Sequence, residues 1–243
     1  MWQTLVGAWP LPLERALQYA EKATREARTR TSWRRPDLGY EAARDRWVTA
    51  VYADAELVEE LAGLAARLRP HGDRNSLAML LVKLTAPGVP DFYQGTEGRD
   101  DSLVDPDNRR AVDLAARRRA LHAISDVTAE QAAHDLELGK LWTIRRVLAL
   151  RRRSPMLFEG AYRALAASGA HAQRVFAFMR GDSLVTVVPR LGVRADRWRE
   201  TTLAIPAGRW REQLSGALYA GGPLSVAELW RGFPTALLVR EPP

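Results

Sequence analysis

The chain has 243 residues, 47% of them hydrophobic, contains no cysteine, and has a formal net charge of +7 at pH 7. This apolar content argues against a disordered chain, and the lack of cysteine excludes disulfides, thiol nucleophiles and zinc–thiolate sites. The N-terminus lacks a signal-peptide pattern, and no segment has the roughly 18 consecutive apolar residues of a membrane span. We therefore expect a cytoplasmic protein without membrane contact.

The positive charge invites a nucleic-acid interpretation, which the distribution of the charges disfavours. Only three of the basic residues are lysines, and the arginines are scattered among acidic residues. The densest arginine runs, 117–119 and 151–153, follow apolar helical stretches, where cations favour the C-terminal end of a helix. We expect an arginine-rich solvated surface and no nucleic-acid partner.

The first part of the chain is predicted to be helical. An apolar stripe at helical spacing predicts a helix over 11–30, and Pro36-Asp37 opens another. Leucines continue the helical period over 57–68, until the sequence 70–73, Pro-His-Gly-Asp, which we expect to break the helix. A short buried helix, 77–84, is predicted after the break.

A short apolar run follows that helix. Val89 to Tyr93 is predicted to be a buried strand, because it is a bounded run of apolar and aromatic residues. The pattern is lost over 94–108, which reads as a long polar loop. Asp107 or Asn108 is predicted to cap the next helix, near 110–122.

The sequence period changes from helical to alternating at about residue 158, after a last helix around 141–156. Two alternating segments flank the turn Gly181-Asp182 and predict a hairpin over 175–188. Further short strands are predicted at 201–205, 209–213 and 236–239. We therefore predict two domains, 1–157 and 158–243, the second an antiparallel β domain.

Polar side chains are concentrated in two segments. The predicted strand would deliver four of them into the following loop: Asp91, Tyr93, Gln94 and Glu97. The next turn adds Asp105, Asp107, Asn108, Arg109 and Arg110. Carboxylates, amides, arginines and aromatic faces together suit a polyhydroxylated ligand. The competing interpretation is structural, because Asp-Pro-Asp-Asn also favours turns and caps, and an Asp–Arg pair can simply pin a loop.

These segments carry a resemblance to a known family. Pro-Gly-Val-Pro-Asp-Phe-Tyr-Gln-Gly-Thr-Glu, 87–97, resembles the eighth strand of the α-amylase-type barrel. Together with Ser-Leu-Val-Asp-Pro-Asp-Asn-Arg-Arg, 102–110, it is similar to the maltooligosyl trehalose synthases in particular. Further matching segments extend the resemblance over essentially the whole chain: 3–10, 31–33, 140–142 and 209–211.

The resemblance implies a fold and a place within a larger enzyme. Residues 1–157 would be the C-terminal part of the catalytic domain, the closing part of a (β/α)₈ TIM barrel with a helical insertion. Residues 158–243 would be a C-terminal antiparallel β-sandwich. The chain would begin downstream of the barrel half that holds the catalytic acids, and that missing N-terminal half would be its partner.

The resemblance also implies an activity. The family is an isomerase that converts the reducing-end α-1,4 linkage of a maltooligosaccharide to an α,α-1,1 linkage. No catalytic residue, metal or cofactor is assigned to this chain, and we expect the chain alone to be inactive. Eight residues are expected to bind substrate: Asp91, Tyr93, Gln94, Glu97, Asp105, Asp107, Arg109 and Arg110.

The matched loop departs from the family at Gly98, Arg99 and Asp101, where bulky apolar or aromatic residues are usual, and at Ala111, where proline is usual. These departures disfavour an aromatic sugar platform in this loop. The alternative to an enzyme portion is a non-catalytic module that binds glucan or a protein partner. The four histidines are isolated in the sequence and predict no metal site.

Overall fold

The computed structural model describes residues 1–191, 198 and 200–242. The chain divides into two compact units, one formed by 1–70 with 100–111 and the other by 71–99 with 112–243. The predicted change from helices to strands is present, since the 3₁₀ turn Pro155–Phe158 follows the helix Leu136–Arg153 and the first strand begins at Tyr162. The division into domains at 157/158 stays a prediction.

The first unit is helical, as its periodicity predicts. It contains α1 (Trp2–Gly7), α2 (Leu13–Ala27), α3 (Leu38–Ala53) and the first part of α4 (Ala55–Thr85). The Asp37 carboxylate caps α3 by accepting a hydrogen bond from the Tyr40 N–H at 2.9 Å. A core of buried side chains joins these helices: Leu5, Ala8, Leu11, Ala16, Ala20, Val48, Val51 and Leu61.

The predicted helix break at 70–73 is wrong, because α4 runs without interruption through Pro70 for 31 residues. An internal proline removes one helical hydrogen bond and costs about 3 kcal/mol. Burial of leucines on either side offsets that cost, since Leu61 lies in the core of the first unit and Leu77 and Leu81 lie in a core of the second.

The second unit contributes the other helices: α5 (Leu114–Ala123), α6 (Ala129–His134), α7 (Leu136–Arg153) and α8 (Val226–Leu229). The cap of α5 was predicted at Asp107 or Asn108 and is in fact Asp113, whose carboxylate accepts from the Ala116 N–H. In the described residues, no helix combines the length and the hydropathy that crossing a membrane requires.

An antiparallel sheet follows the helices. Its seven described strands are β1 (Tyr162–Leu165), β2 (Ala167–Ser168), β3 (Val175–Arg180), β4 (Leu184–Pro189), β5 (Thr202–Glu212), β6 (Leu218–Ser225) and β7 (Ala236–Arg240). Hydrogen bonds connect them in the order β1-β3-β4-β7-β5-β2, with β6 on β5. The predicted hairpin is β3–β4, and the two strands predicted at 201–205 and 209–213 form one strand, β5, with a register shift between Ile205 and Arg209.

Both faces of the sheet are buried. Leu184 and Leu237 contribute to a core that also holds Leu77, Trp142 and Val147 of the helices. The next residues along the same strands, Val185 and Leu238, contribute to a second core with Trp210 and Trp230. This alternation follows from the two-residue period of a strand. The chain is therefore a mixed structure of helices and antiparallel sheet, and hydrogen bonds connect all seven described strands.

A buried carboxylate joins β5 to β7. Glu212 is fully buried, and its oxygens accept hydrogen bonds from the N–H groups of Leu214, Ser215 and Leu237 and from the Ser215 hydroxyl, at 2.5–3.1 Å. Burial raises the pKa of Glu212, and these hydrogen bonds oppose that rise.

Candidate functional site

The segment predicted to be the strand Val89–Tyr93 has irregular backbone, so that prediction is wrong for this chain. Pro87 and Pro90 offer no backbone N–H, and the segment pairs with no strand of the described residues. Val89, predicted to be buried, is 93% exposed. A strand needs a neighbour to satisfy its backbone groups, and that requirement overrides the local apolar pattern.

The loop that follows is held by hydrogen bonds to its backbone carbonyls. The Thr96 N–H and hydroxyl both donate to the Tyr93 carbonyl, at 3.1 and 2.7 Å. Lys140 donates to the Gly98 carbonyl at 2.5 Å, and Arg117 donates to the Gly95 carbonyl at 3.2 Å. These bonds end on backbone carbonyls, so they fix the path of the loop without using its outward-facing side chains.

The predicted site residues of this loop are mostly at the surface. Asp91, Tyr93 and Gln94 are exposed, and Glu97 is half-buried. Between them, Phe92 turns inward, where the Lys83 ammonium lies 4.0 Å from its ring centroid. The loop therefore presents a carboxylate, a phenol and an amide outward from an anchored backbone.

The second predicted segment belongs to the other unit and is centred on Asp107. The Arg15 guanidinium donates two hydrogen bonds to the Asp107 carboxylate, at 2.7 and 2.8 Å, and a third to the Asp101 carbonyl at 2.9 Å. The Leu103 N–H adds a fourth bond, to Asp107, at 2.6 Å. Arg15 holds the pKa of Asp107 below its ordinary value, with help from the Leu103 amide.

Neighbouring contacts complete this turn. Lys22 donates to the Asp105 carbonyl at 2.6 Å, and Arg109 forms an ion pair with the Asp105 carboxylate at 2.7 Å that lowers its pKa. Arg110 donates to the Asp107 carbonyl and to the Ser102 hydroxyl, both at 2.9 Å. Arg109 and Arg110 nevertheless keep more than half of their side-chain surface exposed.

The structure thus brings Asp105, Asp107, Arg109 and Arg110 together in one turn. The Asp107 oxygens are engaged with Arg15 and Leu103, and a role of Asp107 in ligand binding stays a prediction. The outward-facing groups of this turn that remain accessible to a ligand are the two arginines and the partly exposed Asp105 carboxylate.

Sequence reasoning missed the two residues that hold this turn, Arg15 and Lys22. They are seven residues apart on α2, which places both on the same face of the helix two turns apart. That spacing of cations was the available signal. Their partner residues lie 83–92 positions further along the chain, and a single sequence does not reveal contacts between residues so far apart.

Comparison with known proteins identifies relatives along the whole chain. No protein-family model matches it. Proteins from two strains of Mycobacterium tuberculosis, named as maltooligosyl trehalose synthases, are 41% identical over an alignment of 251 positions that covers 99% of this chain. The chain spans about a third of their length, 31%.

Solved structures give the same result. The maltooligosyltrehalose synthase of Arthrobacter ramosus is 39% identical, with a TM-score of 0.86 over 99% of this chain and 32% of its own. A glycosyltrehalose synthase described as DSM5389 is 26% identical, with a TM-score of 0.78 over 98% of this chain and 30% of its own. By sequence and by structure, the chain is similar along nearly its whole length to the C-terminal portion of proteins named maltooligosyl trehalose synthases.

Proposed function

We propose that this chain is the C-terminal portion of an enzyme that converts the reducing-end α-1,4 linkage of maltooligosaccharides to an α,α-1,1 linkage by intramolecular transglucosylation. The observation that carries this proposal is the match of 99% of the chain to the Arthrobacter ramosus enzyme at a TM-score of 0.86. The departures of the loop at 98–101 leave that agreement in place.

Within the full enzyme, we place residues 1–157 in the closing part of a (β/α)₈ barrel with a helical insertion, and 158–243 in a C-terminal β-sandwich domain. The segment 87–97 would lie at the barrel, where neighbouring strands would supply the backbone partners that the described residues do not. In such barrels the loops at the C-terminal ends of strands bind substrate. That placement agrees with the outward-facing Asp91, Tyr93 and Gln94.

The proposed role of these residues is to bind sugar hydroxyls and to shield the reaction from water. A retaining mechanism uses one carboxylate as nucleophile and another as acid, and we assign neither to this chain. The released glucose has to stay bound, turn and react again before water reaches the intermediate. Asp91, Tyr93, Gln94 and Glu97 would form part of that wall. The turn residues Asp105, Asp107, Arg109 and Arg110 are proposed as further substrate-binding residues.

The contacts divide these proposed substrate-binding residues by role. Arg109, Arg110 and Asp105 would contact the sugar directly, because their side chains retain exposed surface. Asp107 would act through the turn it organises, because Arg15 and the Leu103 amide already engage its carboxylate.

A hybrid enzyme tests the proposal. This chain replaces the matched 32% of the Arthrobacter ramosus enzyme, and the product is incubated with maltohexaose while the loss of reducing ends is followed. We expect the hybrid to form a non-reducing product, and neither this chain nor the truncated partner to do so alone.

Two outcomes would count against the proposal. Turnover by the chain alone would show that the catalytic acids lie within it. A folded hybrid that binds maltohexaose without converting it would favour the alternative, a non-catalytic glucan-binding module.

A further inference from the structure

A loop of eight residues between α2 and α3, Arg28 to Arg35, lines an open cleft of about 620 Å³. The loop contains four arginines, two threonines, one serine and one tryptophan, and no acidic residue. We call it the arginine loop. The volume of the cleft lies within the range of small-molecule sites, roughly 300–1,000 Å³.

The base of the arginine loop is fixed by a buried network. Thr31 is 2% exposed, donates its hydroxyl to the Glu41 carboxylate at 2.5 Å, and accepts the Asp37 N–H at 3.1 Å. Arg25 donates two bonds to the same carboxylate, at 2.8 and 2.7 Å. At the other end of the loop, the Arg35 N–H donates to the Ser32 hydroxyl at 3.0 Å. These hydrogen bonds hold the shape of the arginine loop.

An aromatic ring is fixed at the surface of this loop. The Trp33 ring lies under the Arg25 guanidinium, 4.7 Å from its centroid, and Arg25 is itself held by Glu41. Trp33 is nevertheless 56% exposed. A planar side chain covered by a cation on one side and open to solvent elsewhere provides a surface for stacking a ring.

The four arginines of the loop carry charge that the described residues do not neutralise. In the described part of the chain, none of their guanidinium groups has a hydrogen-bond or ion-pair partner: Arg28, Arg30, Arg34 and Arg35. The acidic side chains that flank the loop in sequence are engaged elsewhere. Glu21 pairs with Arg25, Glu26 with Lys22, and the Asp37 carboxylate caps α3.

We propose that the arginine loop binds a phosphorylated small molecule that carries a planar or pyranose ring, with the phosphate on the arginines and the ring against Trp33. Guanidinium groups recognise phosphate oxygens through paired hydrogen bonds. A neutral maltooligosaccharide would leave four like charges uncompensated, so this site goes beyond the proposed substrate. A nucleoside diphosphate and a sugar phosphate share the required chemistry.

Calorimetric titration of the chain at 150 mM salt tests the site. The probes are ADP, glucose 6-phosphate and pyrophosphate, with adenosine and glucose as unphosphorylated controls. We expect at least one ring-bearing phosphate to bind, and its unphosphorylated form to bind at least about tenfold more weakly, or about 1.4 kcal/mol. The tighter of ADP and glucose 6-phosphate identifies the source of the ring.

Variants separate the two halves of the site. Arg30→Gln with Arg34→Gln is expected to weaken every phosphorylated probe by about tenfold or more, whereas Trp33→Ala weakens the ring-bearing probes and spares pyrophosphate. The matched control is Arg118→Gln with Arg119→Gln, the same charge change on exposed residues of α5. Circular dichroism verifies that each variant is folded.

Three results would overturn the proposal. The first is that no phosphorylated probe binds. The second is that the control pair weakens binding as much as the loop pair does, which would assign the effect to net charge. The third is that a DNA oligonucleotide binds with a steep salt dependence and displaces the small probes, which would make the loop a nucleic-acid contact.

Discussion

Arg15 on α2 and Asp107 in the loop that precedes α5 form a two-point ion pair, with Nε–Oδ1 at 2.7 Å and Nη2–Oδ2 at 2.8 Å. Both side chains are largely shielded, at 19% and 13% exposure. Since Arg15 also binds the Asp101 carbonyl and Lys22 binds the Asp105 carbonyl, α2 fixes the whole turn that carries Arg109 and Arg110.

Replacing Arg15 with alanine is therefore expected to loosen this turn. Because the carboxylate of Asp107 would lose its main partner, we expect amide hydrogen exchange over 101–107 to accelerate by about tenfold, or about 1.4 kcal/mol of local stability. Arg15→Lys keeps the charge but loses the paired geometry, so its amide exchange rate should lie between those of the parent protein and Arg15→Ala. Arg118→Ala, at an exposed position of α5, is the control. Unchanged exchange in Arg15→Ala would show that the loop is fixed by other contacts.

The stability of the α2–α3 pair should depend on acid pH through Glu41. Hydrogen bonds from Arg25 and Thr31 lower the pKa of Glu41 from 4.5 to about 2. Because the pKa of Glu41 is lower in the folded chain than in the unfolded chain, its ionised carboxylate stabilises the fold fully above about pH 4.5. This contribution is lost as the pH falls through about 2.

Glu41→Gln is uncharged at every pH and removes this dependence. We expect amide exchange in α2 and α3 of the variant to be faster than in the parent protein at pH 6, with the difference shrinking toward pH 2. Glu59→Gln, at an exposed position of α4, controls for the loss of one charge. A difference between Glu41→Gln and the parent that stays constant over this pH range would refute the assignment.

Glu212 should be one of the most sensitive positions in the sheet. Glu212→Leu removes every acceptor from four buried or half-buried donors, the N–H groups of Leu214, Ser215 and Leu237 and the Ser215 hydroxyl. Unsatisfied buried donors cost about 1–3 kcal/mol each, so we expect a loss of about 3 kcal/mol or more in urea unfolding. Glu228→Leu, on α8 and exposed, is the control. A loss below about 1 kcal/mol would mean that water replaces the carboxylate.

Kinetics of the hybrid enzyme test the exposed residues after α4. We expect Gln94→Ala and Tyr93→Ala each to lower kcat/KM by about tenfold or more, or about 1.4 kcal/mol of transition-state binding. Gln94→Ala should move the Tm little, because a loop amide contributes little to core packing. Glu59→Ala, at an exposed position of α4, should leave kinetics unchanged. Normal kinetics in Gln94→Ala would show that this segment is only scaffold.

The sequence predicted those elements whose signals are local. The Asp37 cap of α3 and the β3–β4 hairpin follow from cap chemistry and from two-residue alternation around Gly181-Asp182. It failed at Pro70, where the burial of leucines on both sides overrides the propensity of proline to end a helix. It failed again at Val89–Tyr93, because an apolar run forms a strand only beside a partner.

The candidate site shows the same division. The exposure of Tyr93, Gln94 and Arg109 agrees with their predicted role as ligand contacts, which stays a prediction. The engagement of Asp107 by Arg15 depends on a contact across 92 residues, and nothing in the local pattern around either residue specifies the other.

The most direct test of the central claim follows the fate of the terminal glucose. The hybrid enzyme is incubated with maltohexaose and an excess of isotopically labelled free glucose, and the non-reducing product is isolated. Intramolecular transglucosylation predicts a non-reducing product without label, because the released glucose never leaves the site. Labelled product, or a folded hybrid that makes no non-reducing product at all, would contradict the account.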